Sequence, residues 1–161
     1  EDEVALIPPV SGGGNMIKLT KHPLNPQDIT RIVSKDTNGA VVTFLGTTRL
    51  FNDGRRVLYL EYEAYSTMAS KTLEEIRQEV QRLWNIKDVI IWHRVGKLEI
   101  GEVSLVVAVS SPHRKEAFEA CEYVVNQLKK RVPIWKKEVF EGGYVWIGSQ
   151  NQEDNSVRLD N

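Results

Sequence analysis

The stretch from residue 128 to 138, LKKRVPIWKKE, joins the end of a predicted helix to the start of a predicted strand. Proline disfavours helical geometry at the residue before it, so the helix must end before Pro133. Five of the nine residues from 129 to 137 are cations, although the chain of 161 residues has a formal net charge of only −1. This local concentration of positive charge predicts an anion-binding site where the helix and the strand meet.

The helix that leads into this stretch is expected to begin at Ser111, with Ser111 as the N-cap and Pro112 in the first helical position. Apolar residues then recur at intervals of three or four, which predicts one buried face. That face comprises Ala117, Cys121, Val124 and Leu128. A thiol on such a face is buried and inert, so Cys121 is interpreted as structural.

His113 and Arg114 lie at the predicted start of this helix. Cations are unfavourable there by roughly a few tenths of a kcal/mol, because the helix dipole favours anions at its N-terminus. A bound phosphate or carboxylate would reverse that sign. His113 offers a general acid or hydrogen-bond donor, and Arg114 offers a guanidinium fork for phosphate.

The rest of the chain is predicted to form pairs of strands with helices between the pairs. Asn25 as N-cap and Pro26 in the first turn predict a short helix. A longer helix is predicted over residues 67–84, capped by Ser66 or Thr67. Its apolar stripe comprises Leu73, Ile76, Val80 and Leu83. Runs rich in β-branched residues predict strands over 40–48, 57–65, 89–95, 103–109, 134–140 and 144–147. The pattern indicates an α+β fold, with helices packed on one face of a mostly antiparallel sheet.

Length and composition fit one domain over residues 16–150, with 41% apolar residues to build its core. Residues 1–15 read as a flexible tail, because Pro8-Pro9 and three consecutive glycines cannot continue into a helix or strand. Residues 151–161 are polar and are expected to be a disordered tail. The apolar runs are too short for a membrane span. A single cysteine excludes an internal disulfide and favours the reducing cytoplasm.

Composition also narrows the class of ligand. The three histidines show no metal-ligand spacing, so neither a metal site nor a cofactor is expected. Basic and acidic residues number 21 and 22, which argues against a surface that coats nucleic acid. The predicted partner of the basic stretch is therefore a small anion.

Lys129 and Lys136 are the strongest candidates for chemistry. Lys129 ends the helix and Lys136 follows Pro133 on the strand, so the bend can bring both amines to one pocket. Neighbouring cations disfavour each other's protonation, which would let one lysine act as base or nucleophile. Side-chain alternation places Glu138 on the face of Lys136 and turns Lys137 away. The alternative is that all five cations form a solvated helix end.

The sequence allows two interpretations for each of two further features. Arg49 and the Arg55-Arg56 pair flank a turn at Asn52-Asp53-Gly54, so that hairpin end is positive or simply solvated. Trp135 is either a core anchor or a stacking plate for a heterocycle.

Four segments together resemble the large, catalytic subunit of molybdopterin synthase over residues 16–150. They are FLGTTR at 44–49, HRVGKLEIGE at 93–102, SPHRKEAFEAC at 111–121 and LKKRVPIWKKE at 128–138. The resemblance implies a fold of the α/β hammerhead type and a homodimeric core flanked by two copies of a small ubiquitin-like sulfur carrier. It also implies transfer of two sulfur atoms from the carrier's C-terminal glycine thiocarboxylate to cyclic pyranopterin monophosphate, which forms the dithiolene of molybdopterin.

The same resemblance implies roles for individual residues. Lys129 and Lys136 match the catalytic lysines. The residues that match contacts to the pterin phosphate are Arg49, His113 and Arg114. The residues that fall within the matching substrate-binding segments are Thr47, Thr48, Lys137 and Glu138.

The tail sequence DEVALIPPVSGG resembles a different protein, the C-terminal end of the small carrier subunit. The carrier needs a free glycine carboxylate, whereas Gly13 here continues into Gly14 and Asn15. A peptide amide cannot be thiocarboxylated. We therefore expect a carrier–catalytic fusion that is cleaved after the second or third glycine, or a separate carrier that supplies the sulfur.

Two other functions fit the charge pattern. One is a non-enzymatic module that binds RNA or a phosphoprotein through the basic helix end and Trp135. It predicts steep salt dependence and no dependence on which lysine is replaced. The other is a scaffold whose synthase site has decayed, and the intact set of lysine, arginine and histidine argues against it.

Overall fold

The structure, a computed structural model, describes residues 16–148 and 157–159. At its centre lies β7 (Val103–Ser111), in which every residue after the first is buried. β7 pairs antiparallel with β2 (Ala40–Thr47) on one side and with β5 (Asp88–Arg94) on the other. β1 (Ile17–Thr20) completes the four-stranded sheet by pairing parallel to β5. The sheet has apolar residues on both faces, so both faces must be covered.

Helices cover the two faces unequally. α2 (Ser66–Trp84) and α3 (Arg114–Arg131) pack on the face that carries Val107 and Val109, and this layer is the larger core. The short α1 (Pro26–Val33) packs on the opposite face, against Val106 and Ala108. The predicted α+β class is confirmed, and both long helices share a face as expected. α1 departs from that arrangement because the central strand is apolar on its second face too.

A second, six-stranded sheet curls away from the first and carries the basic stretch. Its central pair is β4 (Arg55–Ala64) with β8 (Ile134–Phe140), which run antiparallel. The remaining strands are β3 (Phe51–Asn52), β6 (Gly96–Glu99), β9 (Gly143–Ile147) and β10 (Val157–Leu159). β6 was not predicted, and β10 lies within the segment that was expected to be a disordered tail. The domain boundaries stay a prediction, since residues 1–15 and most of 149–161 lie outside the described residues.

The predicted helix starts are right for α1 and wrong for the two longer helices. Asn25 caps α1, accepting hydrogen bonds from the backbone N–H groups of residues 27 and 28 at 3.0 and 3.3 Å. α2 has Tyr65 as its N-cap, with no side-chain capping bond. α3 has His113 as its N-cap, because Ser111 is still paired with Ala40 in the sheet. The serine continues the strand, so the helix begins two residues later than predicted.

The predicted buried face of α3 is confirmed, and the helix ends at Arg131 before the proline. In α2 the predicted stripe holds except at Leu83, which is 59% exposed. The two helices are clamped by Glu79, which accepts two hydrogen bonds from Arg131 at 2.7 and 2.8 Å and one from the Tyr123 hydroxyl. These bonds, with that of Arg131 foremost, lower the pKa of Glu79 to about 2. Arg131 is thus paired with α2 and does not serve the predicted anion site.

Candidate active site

A cavity of about 210 Å³ lies where the end of α3 and the start of β8 meet the four-stranded sheet. Pro133 separates these two elements, as the sequence predicted, and its carbonyl accepts a hydrogen bond from the Tyr65 backbone N–H at 3.2 Å. The polar residues that line the cavity are Tyr62, His93, Ser104, Lys129 and Lys136. The apolar residues among its lining include Phe44, Leu105, Leu128, Ile134, Trp135 and Ile147.

Lys129 and Lys136 therefore line one cavity, as the sequence predicted. Lys129 is exposed at the end of α3, whereas Lys136 is half-buried on β8. Burial lowers the pKa of Lys136, and the positive charges of Lys129 and Arg49 lower it further, while Glu138 acts in the opposite direction. Lys136 thus loses its proton more readily than an ordinary lysine, which is the property required of a base or nucleophile.

Sequence reasoning did not single out three polar residues of the cavity, Tyr62, Ser104 and His93, of which His93 is the most telling. It lies near the end of β5, is only 5% exposed, and packs edge-on against Tyr62 with 5.0 Å between ring centroids. Its Nδ1 lies 2.7 Å from the backbone oxygen of Arg94. Burial, with smaller effects of Lys129 and Lys136, lowers the pKa of His93 to about 4 despite this hydrogen bond. The signal available in the sequence was a histidine directly after the apolar run of residues 89–92.

Asn52 links Arg49 to Glu138 beside Lys136. Glu138 is 3% exposed, and its two carboxylate oxygens accept hydrogen bonds from Nδ2 of Asn52 at 2.9 and 3.2 Å. Oδ1 of Asn52 in turn accepts a hydrogen bond from Arg49 at 3.0 Å. Arg49 itself is exposed, so its remaining guanidinium donors face solvent. Lys129, Arg49 and Glu138 all lie near enough to Lys136 for their charges to act on it.

His113 and Arg114 are not part of this cluster within one chain. Fifteen residues of α3 separate Arg114 from Lys129, which at 1.5 Å per residue places them roughly 22 Å apart. Both His113 and Arg114 are exposed at the far end of the helix. A single copy of the chain therefore does not bring His113 and Arg114 to the two lysines, because α3 is one unbroken helix.

The other residues of the predicted substrate-binding segments, Thr47, Thr48 and Lys137, are not part of the cavity lining. Thr47 is exposed at the end of β2. Thr48 is 3% exposed, and both its N–H and its hydroxyl donate to the Glu102 carbonyl, at 3.1 and 3.2 Å. Thr48 thus ties β2 to the loop before β7. The Lys137 amine lies over the Tyr144 ring, 4.3 Å from its centroid, so it turns away from Lys136 as alternation predicted.

Trp135 forms part of the cavity wall, whereas Cys121 belongs to the core. Trp135 is half-buried in the cavity wall and packs edge-on against the exposed Tyr65 ring, with 5.0 Å between centroids. It is thus neither wholly a core residue nor a free stacking surface. Cys121 is 5% exposed, and burial raises the pKa of its thiol to about 11. This agrees with its interpretation as structural.

Two general findings concern the described residues, 16–148 and 157–159. No group of three or more histidine, cysteine, aspartate or glutamate side chains among them is placed to hold a metal ion. No helix in that part of the chain is long and apolar enough to cross a membrane.

Comparison with known proteins identifies the family of the chain. The sequence model described as MoaE protein matches residues 19–131. The chain belongs to the MoaE protein family. A relative from Bacillus subtilis (strain 168), named molybdopterin synthase catalytic subunit, is 48% identical over 133 residues, which is 83% of this chain and 85% of the relative. The family suggested by the four sequence motifs is confirmed.

Solved structures of this family have the same fold. A crystal structure titled molybdopterin synthase from Staphylococcus aureus superposes with a TM-score of 0.78 at 41% identity, and covers 81% of this chain and 95% of that one. A complex of subunits 1 and 2 of molybdopterin-converting factor from Helicobacter pylori gives a TM-score of 0.67 over 78% of this chain and 86% of that one. At 21% identity the latter shows the fold alone.

Proposed function

We propose that this chain is the catalytic subunit of a molybdopterin synthase. In the proposed reaction, two molecules of a small carrier protein each give the one sulfur atom of their C-terminal thiocarboxylate to cyclic pyranopterin monophosphate, and each is left with an ordinary carboxylate. The observation that carries the proposal is the cavity shared by Lys129, Lys136 and His93, in a member of a family whose relatives are named as catalytic subunits of that enzyme. These relatives favour an enzyme over a non-enzymatic RNA-binding module.

The phosphate of the substrate would lie against the exposed cations. Arg49 offers a planar fork with free donors, and Lys129 offers an ammonium group at the rim of the cavity. Guanidinium groups bind phosphate through paired, charge-assisted hydrogen bonds. Two cations on neighbouring elements would thus hold the charged end of the substrate near Lys136.

Lys136 would act on the sulfur-bearing group. Its lowered pKa leaves more of the amine neutral than in an ordinary lysine, so it can accept a proton or attack a carbonyl carbon. His93 is neutral near pH 7 and adds a hydrogen-bond acceptor to the same wall. Glu138 favours the charged form of Lys136 and so opposes the effect of the surrounding cations.

The proposed sulfur donor is a small ubiquitin-like carrier. The Helicobacter pylori structure, which is described as a complex of two subunits, supports a partner of this kind. Residues 1–15, which resemble a carrier tail, lie outside the described residues. We propose that this segment derives from a carrier–catalytic fusion that is cleaved after the second or third glycine. Mass spectrometry of the active protein tests it, since activity from an intact chain without another carrier would contradict cleavage.

A homodimer would reconcile the residues that one chain keeps apart. His113 and Arg114 lie about the length of α3 away from the lysines, so they can serve the same site only if a second copy presents them. With one carrier on each catalytic subunit, this assembly would be a heterotetramer. The cytoplasmic location stays a prediction, based on the single cysteine.

The deciding experiment mixes the purified chain with thiocarboxylated carrier and cyclic pyranopterin monophosphate, and measures molybdopterin. We expect product with the wild-type chain and none with heat-denatured chain or with carrier that ends in an ordinary carboxylate. If the folded chain forms no product while a known synthase does so in the same mixture, the proposed function is wrong.

A further inference from the structure

Asn52 lies between two groups of opposite charge and hydrogen-bonds to both. Its Oδ1 accepts from Arg49 at 3.0 Å, and its Nδ2 donates to both carboxylate oxygens of Glu138 at 2.9 and 3.2 Å. In the described part of the chain, Arg49 and Glu138 form no direct ion pair. The amide thus stands where a guanidinium and a carboxylate would otherwise meet.

The position of Asn52 is fixed by a tight hairpin rather than by the cavity. β3 pairs with the start of β4 through Asn52 and Arg55, across a two-residue turn at Asp53 and Gly54 with φ angles of 51° and 74°. Positive φ at both positions is typical of the type I′ turn that matches strand twist. The Arg55 guanidinium lies 4.6 Å from the centroid of the Phe140 ring, which anchors the hairpin to β8.

The chemistry of the contact requires an amide. A carboxamide donates and accepts at once, whereas a carboxylate only accepts and an alkyl side chain does neither. A carboxylate at this position would capture Arg49 and repel Glu138. A small apolar residue would leave both groups without their partner. Arginine and carboxylate bind each other strongly through paired hydrogen bonds, so they would close the gap.

The separation of Arg49 from Glu138 matters because both side chains act on the pKa of Lys136. Glu138 raises the pKa of Lys136, and Arg49 lowers it. A direct pair between Arg49 and Glu138 would neutralise the guanidinium and draw the carboxylate away from the lysine. The anion-binding and proton-transfer properties of the cavity would change together.

We propose that Asn52 is a positioning residue, which holds Arg49 apart from Glu138 and so keeps the guanidinium free to bind the phosphate of the substrate. This inference rests on the proposed function, in which Arg49 contacts that phosphate. It assigns to Asn52 no contact with the reacting atoms.

The test is a binding cycle on the full chain with four proteins: wild type, Asn52→Ala, Glu138→Gln and the double variant. Calorimetry measures the dissociation constant of cyclic pyranopterin monophosphate. We expect Asn52→Ala to weaken binding about tenfold, because Arg49 pairs with Glu138. Removal of the Glu138 charge in that background should restore affinity to within about twofold of Glu138→Gln alone. Asp53→Asn, an exposed change in the same turn that tolerates positive φ, should bind as the wild type does.

Restored affinity in the double variant would distinguish a positioning role of Asn52 from simple structural support. If Asn52→Ala binds as tightly as the wild type, or if the double variant binds as weakly as Asn52→Ala, the inference is wrong. A second arm uses inorganic phosphate, followed by ³¹P NMR, and does not depend on the pterin. The same pattern of loss and rescue with phosphate supports the role of Asn52 even if the pterin does not bind and the proposed function fails. Absence of that pattern with phosphate overturns the role of Asn52.

Discussion

Nδ1 of His93 lies 2.7 Å from the backbone oxygen of Arg94. A carbonyl oxygen can only accept, so Nδ1 carries the proton and Nε2 of the neutral ring is an acceptor. The wall of the cavity therefore combines the two lysines with the neutral imidazole acceptor of His93. This tautomer follows from the backbone and does not depend on any ligand.

The first prediction concerns the protonation of His93. Its pKa of about 4 lies below the ordinary value of 6.5, so the folded protein binds fewer protons than the unfolded chain between these values. Its contribution to stability is fully present above pH 6.5 and is lost as the pH falls toward 4, by about 3 kcal/mol in total. Histidine NMR should show no titration of His93 near pH 6.5. His93→Gln should flatten the pH dependence of urea unfolding across this window.

The second prediction distinguishes the cavity lysines from the solvated ones. Lys129→Ala and Lys136→Ala should each reduce molybdopterin formation about a hundredfold or more, with an unchanged circular dichroism spectrum. Lys130→Ala, an exposed neighbour in the same helix turn, should stay within about twofold of the wild type. Equal effects of all three substitutions would instead indicate a diffuse electrostatic surface.

The third prediction concerns the balance of charge at Lys136. Glu138 favours its protonated form, so Glu138→Gln should lower the pKa of Lys136 further. NMR of ¹³C-methylated lysines against pH measures this directly, and Lys130 provides the reference signal. A rise in the Lys136 pKa in the Glu138→Gln variant would show that the carboxylate does not act on that amine.

The fourth prediction tests the shared site of the proposed dimer. Lys136→Ala and Arg114→Ala variants should each be inactive alone, because each removes one half of every site. A mixture that exchanges subunits should regain up to about a quarter of wild-type activity, since one of the two sites in a mixed dimer is then complete. Failure to regain activity, with exchange verified by mass, would place both residues in one chain or Arg114 outside the site.

The fifth prediction concerns the clamp between α2 and α3. Glu79 has a pKa of about 2, below its ordinary 4.5, so the stabilisation is present above pH 4.5 and is lost as the pH falls toward 2. At pH 7, Glu79→Gln should cost about 2 kcal/mol in urea unfolding, because Arg131 and Tyr123 lose a charged acceptor. Glu75→Gln, an exposed change one turn earlier whose charge acts on Arg131 without a hydrogen bond, should cost less than half as much. Equal losses in the two variants would argue against the clamp.

Local chemistry made much of the fold predictable. Asn25 before Pro26 sets the start of α1, and Pro133 sets the end of α3, because these effects act within one helical turn. Ser111 misled because a serine next to a proline looks the same at the end of a strand as in a helix cap. Only its pairing with Ala40, 71 residues earlier in the chain, decides between the two.

The site was predictable where residues are close in sequence. Lys129 and Lys136 converge through a bend seven residues long. The sequence could not show that Asn52 reaches Glu138 across 86 residues, or that His93 enters the same cavity from β5. It also could not show that α3 keeps Arg114 away from Lys129, since that requires the straight helix and its length to be known.

The burial of the single cysteine has a practical consequence. Cys121 is 5% exposed with a thiol pKa of about 11, so maleimide reagents at neutral pH should leave it unmodified. A cysteine introduced at an exposed position would then be the sole attachment point for a fluorophore or spin label. One label on each chain would then measure the distance between the two copies of the proposed dimer.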